Sequence, residues 1–336
     1  MMKTQKKPGA SVQSEDEIQL ALNRKANQKE RITLMLPFAG VVLLVILFEV
    51  LTMGQFLGME NLRLLINQCF TMGVVVVGGA FLYAVGGLDM SIGSVMALSA
   101  LVITMAFNAG VPLLWSFLAG TVISIVCMSV TAFVRNYLKV SPFIASMCVM
   151  NICQGIVMAV VADQGRIVFP YSQAAWVDAT PTKIIALIVL IAAGYYLFNF
   201  TSFGKSLKGI GGNTTAARIS GIRVERCIFL AYAAIGFTLA VGALFTVVRA
   251  GIADTAIGGG LNLNVMTAIV LGGFPLSGGA NAKFHAPLVG ALTVTVLTNG
   301  LGLLGYANAI GYAIKGLLFI IVVALTYEKS KGKLIS

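Results

Sequence analysis

Long apolar runs separated by short polar patches dominate this chain, and the runs set its frame. About ten spans of bilayer length can be drawn, at 32–53, 62–86, 91–108, 112–134, 143–162, 182–200, 227–248, 262–275, 286–304 and 309–326. The eighth is too short for a straight crossing, and Gly258-Gly259-Gly260 before it predicts a broken or partly unwound element. A second irregularity stands between spans two and three. There the segment GGLDMSIGS, residues 86–94, places a carboxylate and two hydroxyls among apolar runs.

The expected fold is therefore all-α: a polytopic membrane protein of about ten transmembrane helices with glycine-broken segments. One transmembrane domain is expected at 32–326, with tails at 1–31 and 327–336. Composition agrees with this frame, since 58% of the 336 residues are hydrophobic and only 10% are charged. The mean hydropathy is +0.93.

Charge adds orientation. Lys and Arg number 23, and 18 of them fall on alternate connections that include both tails. The other side keeps Arg63, Arg166, Lys183, Arg249 and Lys315. Positive residues collect on the cytosolic side, so both termini are expected inside. The net charge of +11 is spread over the ends of apolar segments, which argues against a nucleic-acid surface. The N-terminal tail has no apolar core before Ile32 and is not read as a cleavable signal.

Catalytic and metal chemistry find little support. The five cysteines are scattered without a CxxC spacing, and His285 is the only histidine. Gly204-Lys205-Ser206 imitates the end of a phosphate-binding loop but lacks its earlier glycine. No catalytic or metal residue is assigned, and transport is the function left. The main cytosolic loop, 201–226, is basic and rich in small residues. In it Asn213 is placed to cap a helix through Thr214–Ile219, and Gly221 to end it in a left-handed turn.

Three segments carry a resemblance: GGLDMSIGSVMALSA at 86–100, GKSLKGIGGNTTAARISGI at 204–222, and TAIVLGGFPLSGG with the apolar stretches after it through 325. In their order and spacing the chain resembles the permease subunits of bacterial ABC importers for ribose, galactosides, xylose and related sugars. The resemblance implies a non-catalytic subunit of the bacterial inner membrane that forms the path for a small polyhydroxylated solute by alternating access. It also implies four partners besides membrane lipid: a second permease copy or homologue, a pair of cytosolic ATPases, and an external solute-binding protein. ATP and Mg would sit on the ATPase, with no cofactor in this chain. Coupling to the ATPase would fall to Gly204, Gly212, Asn213, Ala216, Ala217, Arg218 and Gly221. Where a typical member carries acidic residues before VLGG, this chain has Asn262-Leu263-Asn264.

Gly86-Gly87-Leu88-Asp89-Met90 recurs as Gly259-Gly260-Leu261-Asn262-Leu263, five spans later and so in opposite orientation. An inverted repeat is the expectation. Candidate pathway or helix-break residues are Gly86, Gly87, Asp89, Ser91, Gly93, Asn262 and Asn299. Asp89 has three readings at this point: a helix cap, a solute contact, or the titrating group of an ion-coupled secondary transporter, the alternative function.

Overall fold

A computed structural model describes residues 38, 40–306, 311, 313, 314, 316, 317 and 320. The two tails, Lys315 and most of the tenth drawn span lie outside the described residues.

Twelve helices follow one another among the described residues: α1 (Gly40–Leu51), α2 (Met59–Ala84), α3 (Ile92–Asn108), α4 (Leu113–Tyr137), α5 (Pro142–Gln164), α6 (Tyr171–Asp178), α7 (Thr180–Phe200), α8 (Ser202–Gly212), α9 (Thr214–Ile219), α10 (Val224–Ala250), α11 (Leu261–Leu271) and α12 (His285–Leu303). Six of them, α2, α4, α5, α7, α10 and α12, are long and apolar enough to cross a membrane. Shorter apolar helices α1, α3 and α11 occupy the first, third and eighth drawn spans. The chain is thus helical and polytopic.

The core is built on α2 and α10. From Met72 to Ala84 every residue of α2 is buried, as expected for a helix apolar on all sides. The two helices cross closely at Gly78, where an added Cβ would lie 2.7 Å from the Ile235 Cα. Small residues at such crossings let backbones approach where lipid offers no hydrophobic drive for helix association. By contrast α5 and α7 are mostly exposed, with only 28% and 17% of their apolar windows buried. These faces are left for lipid or another subunit.

The packing has a two-way pattern. α3 packs on α4 as α11 packs on α12; α10 packs on α4 as α2 packs on α12; and α10 packs on α3 as α2 packs on α11. At the edge of the core, two-residue strands β1 (Ile167–Val168) and β2 (Ile252–Ala253) pair antiparallel and tie together the connections after α5 and α10, with Ile167 and Ala253 buried.

Where the helices are broken, other elements complete the backbone. Non-helical chain at membrane depth survives only when its polar groups are met inside the protein. In the first break the Val85 carbonyl accepts from Arg135 Nη2 at 2.8 Å, and the Met90 N–H donates to Ser146 Oγ at 3.0 Å. The Ala84 carbonyl accepts from the Gly279 N–H at 3.1 Å. The second break runs from Gly251 to Gly260, with Gly251, Gly258 and Gly260 all at positive φ. Helix α11 then runs for only 11 residues, so the expected short eighth element is a half-helix.

Candidate functional site: two helix breaks and two cavities

The two breaks meet. A Cβ on Gly93 would lie 2.2 Å from the Gly258 carbonyl oxygen, and one on Gly258 would lie 2.1 Å from that of Gly93. Only a side chain without a Cβ fits at either place. Beside them the Asn262 amide donates to the Met90 sulfur at 4.0 Å. The N-terminal ends of α3 and α11 therefore converge on one point, each bringing backbone N–H groups with no intrahelical partner.

A cavity lies on each side of this junction. The first, of about 230 Å³, is lined by Met90, Gly93 and Ser94 of the first break and α3, by Gln154 of α5, by Thr255, Ile257 and Gly258–Gly260 of the second break, and by Asn262 of α11. The second, of about 260 Å³, lies between α2, α10, α11 and α12. Its polar lining consists of Gln68, Thr71, Thr246, Arg249, Asn264, Thr295 and Thr298. Gly258 and Gly259 line both, so the glycine segment forms the wall between them.

Asp89 lines neither cavity. It is 2% exposed, and its Oδ1 accepts the Ser91 N–H at 2.7 Å and the Ser91 hydroxyl at 2.6 Å. The N-cap of α3 is Ser91, so Asp89 acts one step earlier than a cap and holds the capping residue in place. Its Oδ2 is buried without a hydrogen-bond partner among the described residues. Gly86 turns the chain at φ +66, and a Cβ on Gly87 would press on the Leu82 carbonyl at 3.0 Å.

Asn299 sits apart from the junction. Its amide and that of Asn61 exchange hydrogen bonds of 2.8 and 2.9 Å, joining α12 to α2, and both residues are about 5% exposed. Removing one member leaves a buried amide unmet, at a cost of about 1–3 kcal/mol, whereas replacing both by apolar groups is far milder. Asn299→Leu is accordingly expected to lower the thermal unfolding temperature. The pair Asn61→Leu with Asn299→Leu should recover much of the loss, as a double-mutant cycle on the detergent-solubilised protein would measure.

The remaining site residues lie at the far end of α7. Asn213 caps α9, accepting the Ala216 N–H at 2.9 Å, and Gly221 follows at φ +82, which is the helix and turn expected from the sequence. Gly212, Asn213, Ala216, Arg218 and Gly221 are exposed, while Ala217 is buried at 5%. Arg218 pairs with Glu225 of α10, and Ile219 stands 83% exposed at the end of the helix. Gly204 belongs to a different structure, the tight turn from α7 into α8, where a Cβ would lie 2.0 Å from the Phe198 carbonyl oxygen.

A model of the family described as branched-chain amino acid transport system / permease component matches residues 61–323. The chain belongs to this permease family. It is 30% identical over 301 residues to the ribose import permease protein of Bacillus subtilis, covering 88% of this chain and 92% of that one. It is 28% identical to the L-arabinose transport system permease protein of Escherichia coli, covering 83% and 85%, and 25% identical to the fructose import permease protein of Rhizobium meliloti, covering 86% and 84%. No solved structure matches the chain significantly. The matched region of the permease family contains both breaks, both cavities and α9, so nothing at the junction is peripheral to it.

Several residues of this permease play parts that spacing did not reveal. Gln68 and Gln154 face the cavities, whereas Asn67 accepts from Lys183 and joins α2 to α7. Lys183 is 3% exposed and pairs with Asp178, so a cation that reads as a flanking charge is a buried tie. Among the described residues Asn151 bonds only to the Met147 carbonyl of its own helix, at 2.8 Å.

Proposed function

We propose that this chain is the permease subunit of an ATP-driven importer that passes a small polyhydroxylated solute across the bacterial inner membrane. The observation that carries this reading is the near full-length likeness to sugar import permeases, with 92% of the ribose permease covered. The family description speaks of branched-chain amino acids, but the cavities favour hydroxylated cargo. Hydroxyls, amides, backbone groups and the Arg249 guanidinium make up their polar lining, and no described lining residue carries a carboxylate to meet an ammonium group.

In this reading the chain catalyses no bond chemistry. Hydrolysis of ATP with Mg belongs to a cytosolic ATPase, solute arrives from an external binding protein, and a second permease copy or homologue completes the path. Ten spans with both termini cytosolic fit the charge distribution, and an inverted repeat equating α2–α4 with α10–α12 fits the two-way packing pattern. The second half-helix then enters from outside while the first enters from the cytosol, and they meet at the glycine junction. Alternating access would come from relative movement of the two halves about that contact.

Helix α9 is the proposed coupling element. Its cap, its left-handed terminal turn and its exposed Ala216, Arg218 and Ile219 make a rigid knob on the basic side of the chain. Ile219→Asp places a charge where an apolar side chain would enter a groove, so uptake should fall about tenfold or more. The amount of permease in the membrane should not change, which an immunoblot of the membrane fraction would check beside the uptake assay. Unchanged uptake would remove α9 from the coupling role.

Radiolabelled uptake in the host strain tests the whole reading. Deleting the gene should abolish entry of one hydroxylated solute and leave branched-chain amino acid entry intact. That entry should stop when ATP is depleted and persist when the proton gradient alone is collapsed. The opposite dependence would overturn the proposal.

A further inference from the structure

An exposed cation at the C-terminal turn of α10 stands at the cavity between α2, α10, α11 and α12. Arg249, at the last turn of α10, lines it, and no described residue forms an ion pair or hydrogen bond with the guanidinium. All other described lining side chains are neutral. The N-terminus of α11 borders the same space through Gly258, Gly259 and Leu261; the Leu261 N–H is met by the Gly258 carbonyl at 3.0 Å, and the N-cap, Gly260, offers no side chain to the N–H groups that follow. Two sources of positive potential thus border one cavity, with no acid among its described lining residues.

The uncharged part of the lining has its own vacancy. Gln68 Oε1 and Thr246 Oγ1 are buried and have no hydrogen-bond partner among the described residues. A buried polar atom without a partner costs free energy that a ligand can return. One amide oxygen and one hydroxyl, with Thr71, Thr295 and Thr298 nearby, suit hydroxyl groups as donors and acceptors. At about 260 Å³ the space falls below the roughly 300–1,000 Å³ of drug-sized sites, which sets the scale at a single monosaccharide skeleton.

We infer that this cavity binds a hydroxylated monocarboxylate, a sugar acid of the aldonate class, with its carboxylate on Arg249 and the α11 N-terminus and its hydroxyls on Gln68, Thr246 and the threonines. The inference rests on the importer reading and names its cargo more narrowly. A monoanion fits better than a phosphate dianion, because one guanidinium and one half-helix supply little more than a single countercharge. With no carboxylate among the described lining residues, an amino acid is disfavoured, because its ammonium would be left unmet.

The test measures uptake of radiolabelled D-gluconate, D-ribonate, D-glucose and D-ribose in the gene-deletion strain, with wild-type, Arg249→Lys or Arg249→Gln chains restored at equal membrane level. Deletion should remove uptake of one of the two aldonates. The wild-type chain should restore it, Arg249→Lys should restore it in part, and Arg249→Gln should leave it about tenfold lower or less. If deletion removes only aldose uptake, or if Arg249→Gln carries the aldonate as well as the wild type, the sugar-acid inference falls while the permease reading stands. If no sugar or sugar acid depends on the gene, the permease reading for hydroxylated cargo falls with it. Arg249→Gln that fails to reach the membrane is replaced by Arg249→Met, whose unbranched apolar chain replaces the stem of the arginine while removing the charge.

Discussion

Gly258→Ala and Gly93→Ala are each expected to prevent stable assembly of the protein, while Gly251→Ala is expected to be tolerated. The three separate two effects that glycine often combines. At Gly251 the backbone is left-handed, at φ +69, but an added Cβ meets nothing within 4 Å. That change costs only the left-handed penalty of about 1–2 kcal/mol. Gly93 is a helical residue whose Cβ would lie 2.2 Å from a backbone oxygen, so its substitution tests close approach alone. Gly258 combines both, with φ +75 and a 2.1 Å overlap. Neither neighbour is a flexible side chain that could swing away, so α3 and α11 must part and the backbone partners of both breaks must shift with them. Overpacking alone costs about 1–3 kcal/mol, and lost backbone partners at membrane depth add to it. Size-exclusion profiles and thermal unfolding of detergent-extracted variants would measure the result. A Gly93→Ala protein with wild-type unfolding temperature would show that the two half-helices do not touch.

The elements most legible in the sequence were those whose signal is composition over some twenty residues. Spans such as Leu113–Tyr137 and Val224–Ala250 must be apolar along their length to sit in lipid, and hydropathy reports that directly. The breaks were legible for a different reason, since glycine clusters beside a polar residue have little other use inside an apolar stretch. Helix α9 was legible through its cap, a local contact between Asn213 and Ala216.

Helix α8 was not legible, because Gly204, Gly209, Gly211 and Gly212 all argue against a helix. It is held by tertiary contacts: Leu207 and Ile210 are buried, Phe203 stacks on Phe81 at 5.8 Å, and Lys208 lies over the Phe198 ring at 4.6 Å. Glycine there serves packing, since a Cβ on Gly211 would lie 2.0 Å from the Ala84 carbonyl oxygen. The cavity linings were equally hidden. Which of Asn67 and Gln68 faces a cavity depends on the rotation of α2, and Asn299 meets Asn61 across 238 residues of sequence. No local pattern carries that information.

The contact from Gly211 to Ala84 gives the Asp89 segment its mechanical setting. The end of α8, the Gly278-Gly279 turn and the end of α2 pack backbone against backbone, so α8 bears directly on the chain that leads to Asp89. Asp89→Ala is the second large effect expected. It leaves the buried Ser91 N–H and hydroxyl without the oxygen that now accepts both, and each unmet group costs about 1–3 kcal/mol. Asp89→Asn keeps one acceptor oxygen in place and removes the charge. If the carboxylate serves to position Ser91 at the start of α3, the Asn variant should unfold within a few degrees of the wild type and retain most uptake, while the Ala variant loses both. If the charge itself moves cargo or protons, Asp89→Asn should be folded and inactive. Parallel measurement of unfolding temperature and solute uptake separates these outcomes, and the double hydrogen bond to Ser91 favours the first.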